Sequence, residues 1–415
     1  MSVWHSPRPQ YDAIVAGGRA AGAATALLLA RRGLRVLVVD RGGYGSDTLS
    51  THALMRGAVL QLHRWDLLSR VVAAGTPPIR TTSFHYGADV VTVRIKARDG
   101  VDALYAPRRT VLDRILVDGA REAGADVRHG VRLTGLERDA HGRVVAAVLA
   151  GAGPRQQRIE AGIVIGADGM RSTVAELVEA PIYRQGRHAT AVLYAYWRGL
   201  AVDGYEWRYN PGVSTGVIPT NDGETCVFAS MPGARFAAAQ EAARAGGRGF
   251  DKARLYHAVV AECSPELSAS LGAAAQSGAI HGFAGQFGYF RRSWGPGWAL
   301  VGDAGYFKDP LTAHGITDAL RDAELLASAV ADGSPAALEA YERTRDGLAV
   351  THFEVTDAVA SFDWDLRSVQ VLHRTMSEAM AAEVRAIRAF GEAIPPAAYG
   401  ASVVTASASP VRQLA

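Results

Sequence analysis

The chain has 415 residues, of which 48% are apolar and 20% charged, enough to bury more than one hydrophobic core. A formal net charge of +3 is too small to point to nucleic acid, and no apolar run is long enough to span a bilayer. Cys226 and Cys263 are the only cysteines. They give no disulfide framework and no CxxC pair, and the polar stretch before Tyr11 lacks an apolar signal core. A cytoplasmic protein without stable membrane insertion is therefore expected.

In chain order, the first element is a strand over Tyr11–Ala16, reading YDAIVA. A turn of small residues leads into an Ala/Leu-rich helix from Ala20 to Arg32, stopped by Gly33. A continuous apolar strand, Arg35–Val39, then ends in Asp40. Buried parallel strands read this way, without alternation, so the start of the chain is a βαβ unit. Phe84–Ile95 has strand-like patterning. Gly162–Gly166 and Trp298–Val301 look like returning strands of the first sheet, each running into a turn that carries an acid. Ala191–Trp197, Thr215–Ile218 and Cys226–Ala229 are strand candidates of a second, largely antiparallel unit with a helical insertion over 234–270. Gly315–Val330 reads as a helix with Ile316, Leu320, Ala323 and Ala327 on one face. Residues 336–393 are helical and amphipathic, and the small polar tail 401–415 is expected to fray.

The first turn, Gly17-Gly18-Arg19-Ala20-Ala21-Gly22, is a variant of the GxGxxG dinucleotide fingerprint with Arg19 at the second glycine. Gly17 permits the tight turn and Gly22 lets the helix pack closely on the strand. The helix N-terminus offers unpaired N–H groups to a pyrophosphate. Asp40, followed by Arg41, ends the second strand, where a carboxylate can accept hydrogen bonds from ribose hydroxyls. An acid at that point disfavours a 2′-phosphate, so the tightly held nucleotide should not be NADP.

These residues, with several later motifs in order, resemble the FAD-dependent monooxygenases of the para-hydroxybenzoate hydroxylase fold and the related geranylgeranyl reductase and flavin halogenase branches. Asp47-Thr48-Leu49-Ser50-Thr51-His52 resembles the segment beside the flavin ring. Arg109-Thr110-Val111-Leu112-Asp113 resembles the helix start whose arginine reaches the cofactor. Ile165-Gly166-Ala167-Asp168-Gly169 resembles the second fingerprint. Gly302-Asp303-Ala304 resembles the third, whose aspartate binds the ribityl chain. Pro310-Leu311-Thr312-Ala313-His314-Gly315-Ile316 resembles the loop at the pyrimidine edge of the flavin.

The resemblance implies an α/β fold: a Rossmann-type, glutathione reductase-like FAD-binding domain interlocked with an antiparallel β-sheet substrate domain and a C-terminal helical segment. The FAD-binding parts would be 10–82, 101–182 and 289–335, and the substrate-domain parts 83–100 and 183–288. C-terminal helices would occupy 336–400. FAD would be the cofactor, NADH or NADPH a transient reductant, and molecular oxygen and a small organic molecule the other reactants, in a monomer or homodimer. Reduced flavin carries negative charge near N1 and O2, which the helix N-terminus at Gly315 would stabilise.

The flavin does the bond making, so no metal or protein nucleophile is required. The leading expectation is hydroxylation or epoxidation of an aromatic or hydrophobic molecule, of a secondary-metabolism kind, through a flavin C4a-hydroperoxide. His52 and His314 are candidates for a hydrogen bond to a flavin oxygen or an intermediate. Tyr194, Tyr196, Trp207 and Phe228 are candidates to line the substrate, with Tyr194 and Tyr196 on one sheet face and Trp197 on the other. A flavin reductase of isoprenoid double bonds, a halogenase and an inactive flavin-binding sensor are the alternatives. The halogenase branch carries WxWxIP and a lysine well after the first turn. Here the only lysines are Lys96, Lys252 and Lys308.

Overall fold

The computed structural model describes residues 9–392 except Ala152, Pro154 and Arg248. The expected tail 401–415 and positions 393–400 lie outside the described residues.

The βαβ unit forms as read: strands Tyr11–Ala16 and Val36–Asp40 flank the helix Ala20–Arg31. They belong to a parallel sheet ordered Asp126–His129, Val36–Asp40, Tyr11–Ala16, Gln156–Gly166, Trp298–Leu300. Trp298–Leu300, most of Val36–Asp40 and the ends of Tyr11–Ala16 and Gln156–Gly166 are buried on both faces, which explains their unbroken apolar runs. Ala13, Val15, Val36 and Val38 face the helices Ala20–Arg31, Arg109–Glu122 and Gly315–Asp332. Ile14, Leu37 and Val39 face the other way, onto Arg132–Arg138 and Val144–Ala150, which extend the sheet antiparallel beyond the first half of Gln156–Gly166. That meander was not foreseen. Its middle strand VVAAVLA lacks the β-branched alternation that marks a half-exposed strand.

The second sheet has seven strands in the order Ala275–Phe283, Thr190–Arg198, Glu224–Pro232, Val213–Pro219, Tyr205–Asn210, Thr81–Tyr86, Asp89–Arg94. The strand-like stretch Phe84–Ile95 belongs to a hairpin, Thr81–Tyr86 and Asp89–Arg94, turning at Gly87, where φ is +64°. The sheet is largely antiparallel, as expected, with one parallel pair, Tyr205–Asn210 beside Thr81–Tyr86. One face carries Ala191, Leu193, Trp197 and Val227 under three helices, Gly233–Ala245, Lys252–Cys263 and Pro265–Ala273. The opposite face carries Tyr194, Tyr196, Trp207 and Phe228 and packs toward the first domain. The expected split of Tyr194 and Tyr196 from Trp197 is observed.

The C-terminal segment is two long helices, Pro335–Ala360 and Leu366–Glu392, broken near Phe362, whose φ is +55°. The second helix buries Val369, Met376 and Ile387 in the main core. Among the described residues, no helix is long and apolar enough to cross a membrane.

Candidate functional site

Three glycine-bearing turns meet at the carboxyl ends of neighbouring parallel strands. Gly17 has φ +105°, and a Cβ there would lie 2.3 Å from the Ala167 carbonyl oxygen. A Cβ on Gly22 would lie 1.8 Å from the Gly17 carbonyl oxygen. Gly302, with φ +59°, would push a Cβ to 2.8 Å from Ala21 Cβ. Backbones approach this closely only where side chains are absent. The helix Ala20–Arg31 makes its first intrahelical bond from the Ala23 N–H. The N–H groups before it therefore face the crevice at the strand ends, where α/β sheets hold their ligands.

Around this turn the expected residues take definite positions. The Gly18 N–H donates to Asp40 Oδ2 at 2.6 Å, and the Gly42 N–H donates to Oδ1 at 2.6 Å. Asp40 thus shapes the loop and keeps one side toward a cleft lined by Gly18, Arg19, Asp40, Ser46, Asp113 and His129. Arg41 beside it is exposed. Arg19 does not fill the turn: its side chain swings outward, 3.3 Å from Ser46 Oγ, 3.2 Å from the Asp47 carbonyl and 3.7 Å from Asp113.

Two of the expected side chains make local pairs. Arg109 is paired within its own helix, donating to both carboxylate oxygens of Asp113 at 3.0 Å. Asp168 accepts from Ser172 Oγ and from the Thr173 N–H, so its carboxylate organises the start of Thr173–Leu177. The short spacing from Asp168 to Ser172 is the signal that could have revealed this.

Asp303 sits beside Gly302 on the crevice, and its carbonyl accepts from the Tyr289 hydroxyl at 2.5 Å. Burial pushes its carboxyl up to about 7, against the pull of the Arg109 guanidinium and with help from Asp318 and Asp322. Pro310–Thr312 forms a tight turn capped by Asp309. Ala313 is left-handed at φ +50° and feeds Gly315–Asp332, whose first turn leaves Gly315 exposed and Ile316 half-buried.

His314 is 1% exposed, and its Nε2 lies 2.6 Å from Glu383 Oε2 on the last helix. One ring nitrogen is thus engaged with the C-terminal helix, while Nδ1, also buried, has no hydrogen-bond partner. Around it Arg321 binds Asp318, Asp322 and Glu383, and Lys308 binds Asp318 at 2.9 Å. The group His314, Asp318 and Glu383 has ligand-like spacing, but these two cations already neutralise its carboxylates. No sequence pattern announced Glu383, which lies 69 residues from His314.

The Asp47–His52 segment lies against the aromatic face of the second sheet. The Ser50 N–H donates to the Tyr194 hydroxyl at 3.2 Å. His52 has φ +47° and is 2% exposed; its Nε2 lies 3.1 Å from the Tyr196 hydroxyl, and the two rings stack at 5.8 Å. Thr51 is half-buried, while Leu49 stays 52% exposed. Arg108, which sequence reasoning missed, places its guanidinium 3.7 Å above the Tyr196 ring and pairs with Glu224 and Asp47. Trp207 and Phe228 extend the aromatic face, their rings 6.0 Å apart.

Burial, with Arg108 and Arg109 nearby, lowers the His52 pKa to about 3. The imidazole therefore stays neutral in the folded chain while the unfolded chain takes up its proton near pH 6.5. Stability from this group falls as pH drops from 6.5 toward 3, by about 2 kcal/mol at pH 5. His52→Gln should flatten this acid slope, read as the difference between urea midpoints at pH 7 and pH 5. An unchanged slope would refute a buried neutral imidazole.

The crevice fits FAD. It combines close-approach glycines, free helix N–H groups, an acid at the end of the second strand and a second acid at Asp303. Comparison with known proteins agrees. A solved brominase, Bmp2, superposes with a TM-score of 0.75 at 19% identity, over 92% of this chain and 93% of that one. PqsL, a probable FAD-dependent monooxygenase from Pseudomonas aeruginosa, superposes at 0.68 with 18% identity, over 88% and 99%. Both show a shared fold. Protein FixC of Salmonella typhi is 30% identical over 54% of this chain and 49% of its own length. The chain thus spans about half of that relative. Menaquinone reductase of Mycolicibacterium smegmatis is 28% identical over 78% of this chain and 76% of its own. Residues 10–354 match the family described as FAD binding domain, and the chain belongs to that family, with the fold and cofactor of the FAD-dependent oxidoreductases.

Proposed function

We propose that the protein is an FAD-dependent monooxygenase that hydroxylates or epoxidises an aromatic or hydrophobic small molecule. The observation that carries this reading is the buried aromatic face of Tyr194, Tyr196, Trp207 and Phe228 turned toward the FAD-binding crevice. Bound FAD would supply the redox chemistry, with electrons drawn from NADH or NADPH and used to activate oxygen for transfer.

The chain's own residues do the rest. Gly17, Gly18, Arg19, Ala21 and Gly22 receive the pyrophosphate, and Asp40 the ribose. Arg109 acts with Asp113 on the phosphate side. Asp303 would meet the ribityl hydroxyls, and the N–H groups at Gly315 and Ile316 would meet the pyrimidine edge, the Ala313 N–H being taken by the Pro310 carbonyl. Ser50, Thr51 and His52 hold the segment between flavin and substrate. His52, kept neutral, fixes the Tyr196 hydroxyl, and the aromatic face excludes water from the reacting atoms.

The relation to menaquinone reductase over most of both chains favours one second reading, reduction of an isoprenoid double bond. Oxygen separates the two. With FAD-loaded protein and a panel of aromatic, terpenoid and isoprenoid-quinone substrates, the monooxygenase consumes oxygen with NAD(P)H and yields a product heavier by one oxygen atom. A product heavier by two hydrogens, formed anaerobically, would overturn the first reading in favour of the second.

A further inference from the structure

We propose that Arg19 is a side-chain anchor for the FAD pyrophosphate, replacing by charge the backbone contact that a second fingerprint glycine would give. This rests on the FAD reading above. Arg19 precedes the first helical residue, with extended backbone angles of φ −94° and ψ −164°. Any L-residue adopts that conformation, so the missing glycine creates no strain at this position.

The guanidinium reaches across the crevice edge and is held loosely. Its contacts to Ser46 Oγ, the Asp47 carbonyl and Asp113 are 3.3, 3.2 and 3.7 Å, long for charge-assisted bonds, which run nearer about 2.8 Å. Its Nη1 is buried and has no hydrogen-bond acceptor. A desolvated guanidinium donor without an acceptor is costly. Arg19 borders the cleft shared with Gly18, Asp40 and Asp113.

Nearby, Asp113 is already committed to Arg109 through two 3.0 Å bonds. It holds Arg19 at the rim without satisfying it. A pyrophosphate seated at the start of Ala20–Arg31 brings the anionic oxygens that Arg19 lacks, in the planar geometry a guanidinium fork prefers.

The two accounts of Arg19 predict opposite signs. If it merely crowds the turn, Arg19→Gly restores the glycine pattern and tightens FAD. If it anchors the pyrophosphate, Arg19→Gly weakens FAD by about tenfold to a hundredfold, the loss of one or two bonds to a charged group. Arg19→Met keeps the bulk without the charge and should weaken FAD equally.

The test is titration of the apoprotein with FAD, ADP and riboflavin, followed by flavin fluorescence and calorimetry at low and high salt. FAD and ADP should both weaken in both variants, and their salt dependence should fall. Riboflavin, which lacks the pyrophosphate, should change little. Urea midpoints of the apoproteins control for folding. Tighter or unchanged FAD binding by Arg19→Gly would overturn the proposal. Failure of the wild-type chain to bind FAD would instead overturn the reading on which it rests.

Discussion

Gly22→Ala should give a colourless protein. The added methyl carbon would lie 1.8 Å from the Gly17 carbonyl oxygen, 2.9 Å from its carbon and 3.0 Å from Ala167 Cβ. Two of these atoms are backbone, so no rotamer change relieves the clash. The helix must move away from the strand, and the crevice loses its shape. Overpacking of this kind costs about 3 kcal/mol or more, or roughly a hundredfold in FAD affinity. Absorbance of purified protein near the flavin bands, with FAD titration of the refolded apoprotein, measures it. Gly272, exposed in the helix Pro265–Ala273 with nothing within 4 Å of an added Cβ, is the control, and Gly272→Ala should stay yellow. Equal flavin content in both variants would show that the turn is not the cofactor seat.

Arg321→Met should be the most destabilising single change among the buried charges. Its guanidinium is 1% exposed and serves Asp318, Asp322 and Glu383 at 2.9, 2.6 and 2.6 Å. Lys308 can compensate only Asp318. Removing one partner of a buried ion network typically costs about 3–5 kcal/mol, because the remaining charges stay desolvated. The loss should appear as a lower urea midpoint with an unchanged denaturant slope. It should also loosen FAD, because Asp318 and Asp322 belong to the helix Gly315–Asp332, which the proposed site uses at its N-terminus. A variant as stable as the parent would mean the carboxylates neutralise themselves by taking up protons.

Much of the cofactor half was readable because its rules are local. Tyr11–Ala16, Gly17, Gly22, Val36–Asp40 and Gly302 each state their structure within a few residues, through an apolar run or an unavoidable glycine. The strand Tyr205–Asn210 was passed over, although Tyr205, Trp207 and Tyr209 alternate along it and all three are buried. Its parallel pairing with Thr81–Tyr86 was not legible, since register across 125 residues leaves no local mark.

The same limit governs the site. Asp40 and Asp303 stand out as candidates because each ends or follows an apolar strand. Arg108 was overlooked beside Arg109, although it is Arg108 that lies on Tyr196. The fates of Arg109, Asp168 and His314 depended on partners that charge pattern alone does not name. Asp113 is one helical turn away, whereas Glu383 arrives from the far end of the chain.

That last arrangement bears on how the molecule is held together. The matched family region closes at residue 354, inside the helix Pro335–Ala360. Yet the helix Leu366–Glu392 supplies the carboxylate held by Arg321 and His314, and the Ile387 carbonyl that accepts from Arg64. The helix that follows Pro310–Thr312 is therefore braced by residues beyond the matched region, and flavin retention should require Leu366–Glu392. A chain cut before residue 366 should be purified without flavin, and a yellow truncated chain would contradict this.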